Sequence, residues 1–92
     1  MEDHKTRGEM MYFLKIYIHF VKTSEEFSPS MKGCIWVSAE GYNEYEGLDI
    51  YSYYTENEYY ELGVNVSFEE KINSLGWYSE WYDAGTVMIC KL

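Results

Sequence analysis

Met11-Tyr12-Phe13-Leu14-Lys15-Ile16-Tyr17-Ile18-His19-Phe20-Val21-Lys22 opens the patterned part of the chain. Leu14, Ile16, Ile18 and Phe20 fall two apart, so in an extended chain they share one face. Phe13, Lys15, Tyr17 and His19 share the other. This alternation predicts a β-strand over Met11–Lys22 with Ile16 at the centre of its inward face. Lys15 and His19 interrupt the run, which is too short to span a bilayer. It also lacks the setting of an export signal: Glu2, Asp3 and Glu9 mix with Lys5 and Arg7 before it, and no small-residue cleavage site follows. The expected location is the cytoplasm. Residues 1–9 are polar and unpatterned, so they read as a mobile leader ahead of a single domain over 10–92.

Downstream, Cys34–Ala39 is apolar on both faces, as a central strand would be. An acidic loop, Glu40-Gly41-Tyr42-Asn43-Glu44-Tyr45-Glu46-Gly47, has glycines placed to turn the chain. Leu48–Tyr54 then alternates, with Leu48, Ile50 and Ser52 inward and Asp49, Tyr51 and Tyr53 outward. Tyr59–Val66 alternates in turn, with Tyr60, Leu62, Val64 and Val66 on one face. These segments predict an antiparallel meander. Ser67-Phe68-Glu69-Glu70 has the spacing of a capping box. Phe68, Ile72 and Leu75 make one helical stripe ending at Gly76, which predicts a helix over 67–75 docked on the sheet. Trp77–Tyr82 and Thr86–Lys91 flank Asp83-Ala84-Gly85, a three-residue hairpin loop with glycine in the left-handed position. The competing reading carries the helix through Gly76 to Tyr82. The expected fold is α+β: an antiparallel sheet of five or six strands, meander plus C-terminal hairpin, with one short helix packed on one face.

Composition narrows the function. The 92 residues carry seven Lys and Arg against sixteen Asp and Glu, a net charge of −9. Such a chain repels nucleic acid and anionic lipid and attracts basic protein surfaces, which excludes direct nucleic-acid or membrane binding. A domain of this size buries only about 60–65% of its unfolded surface, too little to hide eleven Tyr, three Trp and four Phe. Several rings must therefore lie at the surface.

Histidine and cysteine are sparse, and carboxylate pairs are so plentiful that none singles out a glycosidase-type acid and base. No phosphate-binding, dinucleotide-binding, zinc-protease or serine-hydrolase motif occurs. His4 lies in the leader and His19 on a strand face. Cys34 and Cys90 read as separate buried apolar residues; a bridge between them is the alternative, and metal ligation a remote third. Asn43, Glu44, Glu46 and Asp49 offer oxygen ligands but depart from the spacing of a calcium loop. Neither an enzyme nor a cofactor is expected.

Charge is unevenly distributed. Between Lys32 and Lys71 there is no Lys, Arg or His, while nine carboxylates fall there. Residues 40–61 alone hold seven carboxylates and seven tyrosines. The bland explanation is a solvated acidic face. The sharper one is a recognition surface: tyrosine offers large contact area at low entropic cost, and carboxylates steer and register a cationic partner. The candidate partner-binding residues are Glu44, Tyr45, Glu46, Asp49, Tyr51, Tyr53, Glu56, Glu58, Tyr59 and Glu61. Glu44 with Glu46, and Glu56 with Glu58, would lie about 6.6–7 Å apart if extended, close to the spacing of backbone phosphates.

That surface suggests a nucleic-acid mimic that inhibits a basic nucleic-acid-handling protein, in the manner of an anti-defence or immunity protein. An accessory or regulatory subunit docking on a basic partner is the alternative. A carbohydrate-binding module using Trp36, Trp77 and Trp81 is a third reading. Exposed edge strands leave room for a homodimer.

Overall fold

A reciprocal cap sets the start of the first helix. Glu9 N–H donates to Thr6 Oγ1 (3.2 Å) and Thr6 N–H donates to Glu9 Oε1 (2.9 Å), satisfying two amides that a helix start leaves free. In the computed structural model, which describes residues 4–40 and 43–92, helix α1 follows from this cap over Arg7–Tyr17. It overturns the strand expected over Met11–Lys22. The run satisfies two periods at once: Met10, Leu14 and Ile18 lie four apart and are all buried. Ile16, expected at the centre of the inward face, is 64% exposed. With apolar residues at most positions, periodicity is ambiguous and the cap favours the helix.

Residues 4–9 are tied to the domain. Lys5 N–H donates to Leu75 O (3.0 Å), and Lys5 O accepts from Trp77 Nε1 (2.9 Å). The boundary expected after residue 9 thus falls inside α1; Met1, Glu2 and Asp3 lie outside the described residues.

Only the end of the expected first strand is extended, as β1 (Val21–Thr23). A short helix, α2 (Ser24–Phe27), occupies the expected loop, with the Glu26 carboxylate accepting from Thr23 N–H and Oγ1. Next come β2 (Ile35–Ser38) and, at the C-terminus, β7 (Trp77–Asp83) and β8 (Thr86–Lys91). Between them lie β3 (Glu44–Tyr45), β4 (Leu48–Asp49), β5 (Tyr60–Glu61), β6 (Val64–Asn65) and α3 (Val66–Ser74).

Among the described residues the main sheet has four antiparallel strands in the order β1-β2-β8-β7, and two separate two-stranded hairpins replace the rest of the expected single sheet. The fold is α+β, as composition and pattern suggested, but with three helices among the described residues. The hairpin reading of 77–91 holds against helix continuation. Its turn differs: Asp83 pairs with Thr86, Tyr82 is an extra residue in the ladder, and Gly85 is not left-handed. In α3 a simple cap two residues earlier replaces the expected box: Asn65 is the N-cap, and its Oδ1 accepts from Phe68 N–H (3.2 Å). Gly76, with φ of 91°, ends that helical segment as expected.

Met10, Leu14 and Ile18 from the α1 segment belong to the same buried cluster as Phe68 and Ile72 of α3. They pack with Ile35, Val37, Trp77, Val87 and Ile89 of the sheet in one core cluster. Register places Ile35 opposite Ile89, so Cys34 and Cys90 face each other one step further, on the opposite side of the sheet. Their Cα atoms are 4.5 Å apart and they form a disulfide, which corrects the expectation of two separate buried thiols. Among the described residues no helix is long and apolar enough to cross a membrane.

Candidate protein-binding surface

Two tight turns shape the 43–65 region. Glu46 and Gly47 have φ of 52° and 85°, and Leu62 and Gly63 have φ of 53° and 77°. Consecutive positive φ values in a two-residue loop match the right-handed twist of a hairpin, and each pair connects two short strands in this way. The continuous strands expected over Leu48–Tyr54 and Tyr59–Val66 are therefore not formed. The first shortens to β4, and the second folds back on itself, placing Leu62 at a tip where it is 85% exposed rather than inward.

The hairpins are nevertheless stitched together. Asn65 N–H donates to Ile50 O and Ser52 N–H to Gly63 O, both at 2.8 Å, around an antiparallel bridge between Tyr51 and Val64. Tyr60 Oη donates to Asp49 O (2.6 Å). The expected pairing of these segments survives as this short junction. Gly63 is required there: a Cβ would lie 2.9 Å from Ser52 O and 3.0 Å from Tyr53 O.

Glu44, Glu46, Asp49, Glu56, Glu58 and Glu61 are exposed. The one ion pair among the described residues, Arg7–Glu25, involves none of them. Glu44 stands directly across the ladder from Asp49, a like-charge juxtaposition that costs stability. Glu46 sits in a turn, so it lacks the extended spacing from Glu44 that phosphate mimicry would use. Asn43, once grouped with these carboxylates as a cation ligand, turns its Oδ1 inward to accept from Ile50 N–H and Tyr51 N–H, each at 3.1 Å. Gly41 and Tyr42 of the acidic loop lie outside the described residues.

The tyrosines divide into two groups. Tyr53 and Tyr59 are exposed, at 46% and 55%. Tyr45 is half-buried, its ring 5.0 Å from Tyr17 and 5.5 Å from Phe68. Tyr51, expected outward, is only 4% exposed. Its hydroxyl shares a 3.0 Å hydrogen bond with Ser79 Oγ, and burial raises its pKa well above the usual phenol value, with Glu69 adding to the rise. Tyr45 and Tyr51 fasten the acidic segment to the core, and only Tyr53 and Tyr59 of the four offer rings to a partner.

Trp81 joins this surface from β7. Its Nε1 donates to Leu62 O (2.7 Å), and its ring meets Tyr53 edge-on at 4.9 Å and Tyr51 at 5.7 Å. It borders two concavities. One, of about 870 Å³, is open and includes Tyr53, Tyr54, Glu56 and Tyr60; the other, of about 440 Å³, runs between α3, β7 and the β5–β6 turn. Sequence pattern could not assemble this, because Trp81 lies some twenty residues from the acidic segment. The other two tryptophans do not extend the surface. Trp77 is fully buried, and Trp36 is half-buried, stacked on Phe27 at 5.9 Å with Lys22 Nζ 4.5 Å from its centroid.

No protein-family model, curated protein or solved structure matches the chain.

Proposed function

We propose that this chain is a small acidic protein-binding domain that inhibits a basic nucleic-acid-handling protein by occupying its nucleic-acid surface. One observation carries the reading: six exposed carboxylates lie within a segment that contains no Lys, Arg or His, beside exposed Tyr53 and Tyr59. Like charges gathered without cations cost stability, and the stitching described above does not use them. An oppositely charged partner would turn that cost into attraction and faster encounter. A cytoplasmic location belongs to this proposal, and there the Cys34–Cys90 bridge would face reducing thiols.

The test starts from a basic partner captured from the native host. Glu56→Lys with Glu58→Lys should abolish capture at moderate salt. Glu2→Lys with Asp3→Lys, an equal change in net charge, should retain it. Equal loss in both pairs would refute a localised surface, and retention in both would leave the acidic face without a recognition role. Competition by DNA or RNA for the captured partner supports inhibition. A ternary complex retaining nucleic acid would favour the accessory-subunit reading.

A further inference from the structure

We infer that the 440 Å³ groove between α3, β7 and the β5–β6 turn receives an arginine side chain from the basic partner. The inference rests on the protein-binding reading above and adds the anchor point. Leu62, Val64 and Trp81 line the groove with apolar surface, while Glu61, Glu69, Glu70 and Glu80 supply carboxylates; among the described residues no Lys, Arg or His lines it. Glu69 stands in the wall of the groove. Its Oε2 accepts from Ser79 N–H (3.0 Å) and Asn73 Nδ2 (3.4 Å). Its Oε1 is buried and has no hydrogen-bond partner among the described residues. A buried carboxylate oxygen without a donor is unfavourable, and the two donors to Oε2 hold the carboxylate where a cation seated in the groove would offset its charge.

The chemistry of the groove selects among cations. Guanidinium is planar, weakly hydrated and able to stack on an indole while directing several N–H groups at carboxylates. Its trimethylene stem suits the Leu62–Val64 wall. Ammonium is compact and strongly hydrated, and gains less from the same surroundings. The contact would add a fixed anchor to the diffuse field of the 40–61 segment, as a desolvated arginine often does at the centre of an interface.

Isotope-labelled full-length protein titrated with hexa-arginine, hexa-citrulline and hexa-lysine peptides tests this assignment. Hexa-arginine should shift the Trp81 indole N–H and the Ser79 amide saturably, with hexa-citrulline inert and hexa-lysine weaker. Glu69→Gln should weaken hexa-arginine binding about tenfold through loss of a carboxylate charge from the groove wall. Glu61→Gln with Glu80→Gln, both at exposed positions, should weaken it without risk to the core. Shifts confined to residues 44–49 and 56–59, with Trp81 and Ser79 unmoved, would overturn the groove while leaving the acidic surface standing. Equal response to lysine would overturn the guanidinium assignment. No binding by either cationic peptide would remove both the groove and the wider reading.

Discussion

Glu25 shows how much an individual side chain's setting matters in a chain with sixteen carboxylates. Its Oε2 accepts from Gly33 N–H (3.1 Å), and its Oε1 pairs with Arg7 Nη1 (2.6 Å). These donors, the Gly33 amide foremost, lower its pKa to about 2. A carboxylate depressed in the folded state stabilises the fold above its ordinary pKa, and that contribution is lost as pH falls toward 2. An NMR titration should find Glu25 the late-protonating carboxylate. Glu25→Gln should flatten the loss of stability between pH 4.5 and 2; an unchanged acid profile would discount this network. Ile16 and Leu14 separate the two periodicities just as sharply. Ile16→Asp, on the exposed face, should change stability by no more than about 0.5 kcal/mol. Leu14→Ala should cost about 2–5 kcal/mol, both read from urea midpoints. Equal losses would mean that α1 presents a different face to the core.

Caps and turns decided more of the elements than the strand pattern did. Thr6-x-x-Glu9 has the same form as Ser67-x-x-Glu70, yet the first lay in a stretch read as leader and the second overshadowed the nearby Asn65. Thr6→Ala removes the acceptor for Glu9 N–H and should cost about 1 kcal/mol, with hydrogen exchange accelerating first at the start of α1. The hairpins turn on a similar point. Glu46-Gly47 and Leu62-Gly63 lack the Asn or Asp that usually announces a type I′ turn, so alternation through Leu62 looked continuous. Gly63→Ala would bring a methyl against Ser52 O and Tyr53 O and also disfavour the required φ. It should loosen the β5–β6 hairpin, seen as faster amide exchange at Ser52 and Asn65, with α1 unaffected.

At the scale of the whole molecule, the Cys34–Cys90 bridge closes a separation of 56 residues that spans the entire acidic segment and α3. Cross-linking a loop of that size stabilises by about 4 kcal/mol on a chain-entropy account. Replacing both cysteines with serine should therefore lower the melting temperature markedly, and reductant should lower the wild-type value while leaving the variant unchanged. The α+β class, the α3 segment, the Trp77–Lys91 hairpin and the concentration of charge and tyrosine in 40–61 were legible from residue order, because each depends on neighbours within a few positions. The remainder depended on partners distant in the chain. Met10, Leu14 and Ile18 became a buried stripe because α3 and the sheet supplied their contacts, and Tyr51 turned inward because Phe68, Ser79 and Trp81 surround it. Cys34 met Cys90 through the β2–β8 register, and Trp81 met Leu62 across the fold. Local sequence sets which conformations are cheap; burial of apolar surface and satisfaction of polar groups by remote residues select among them.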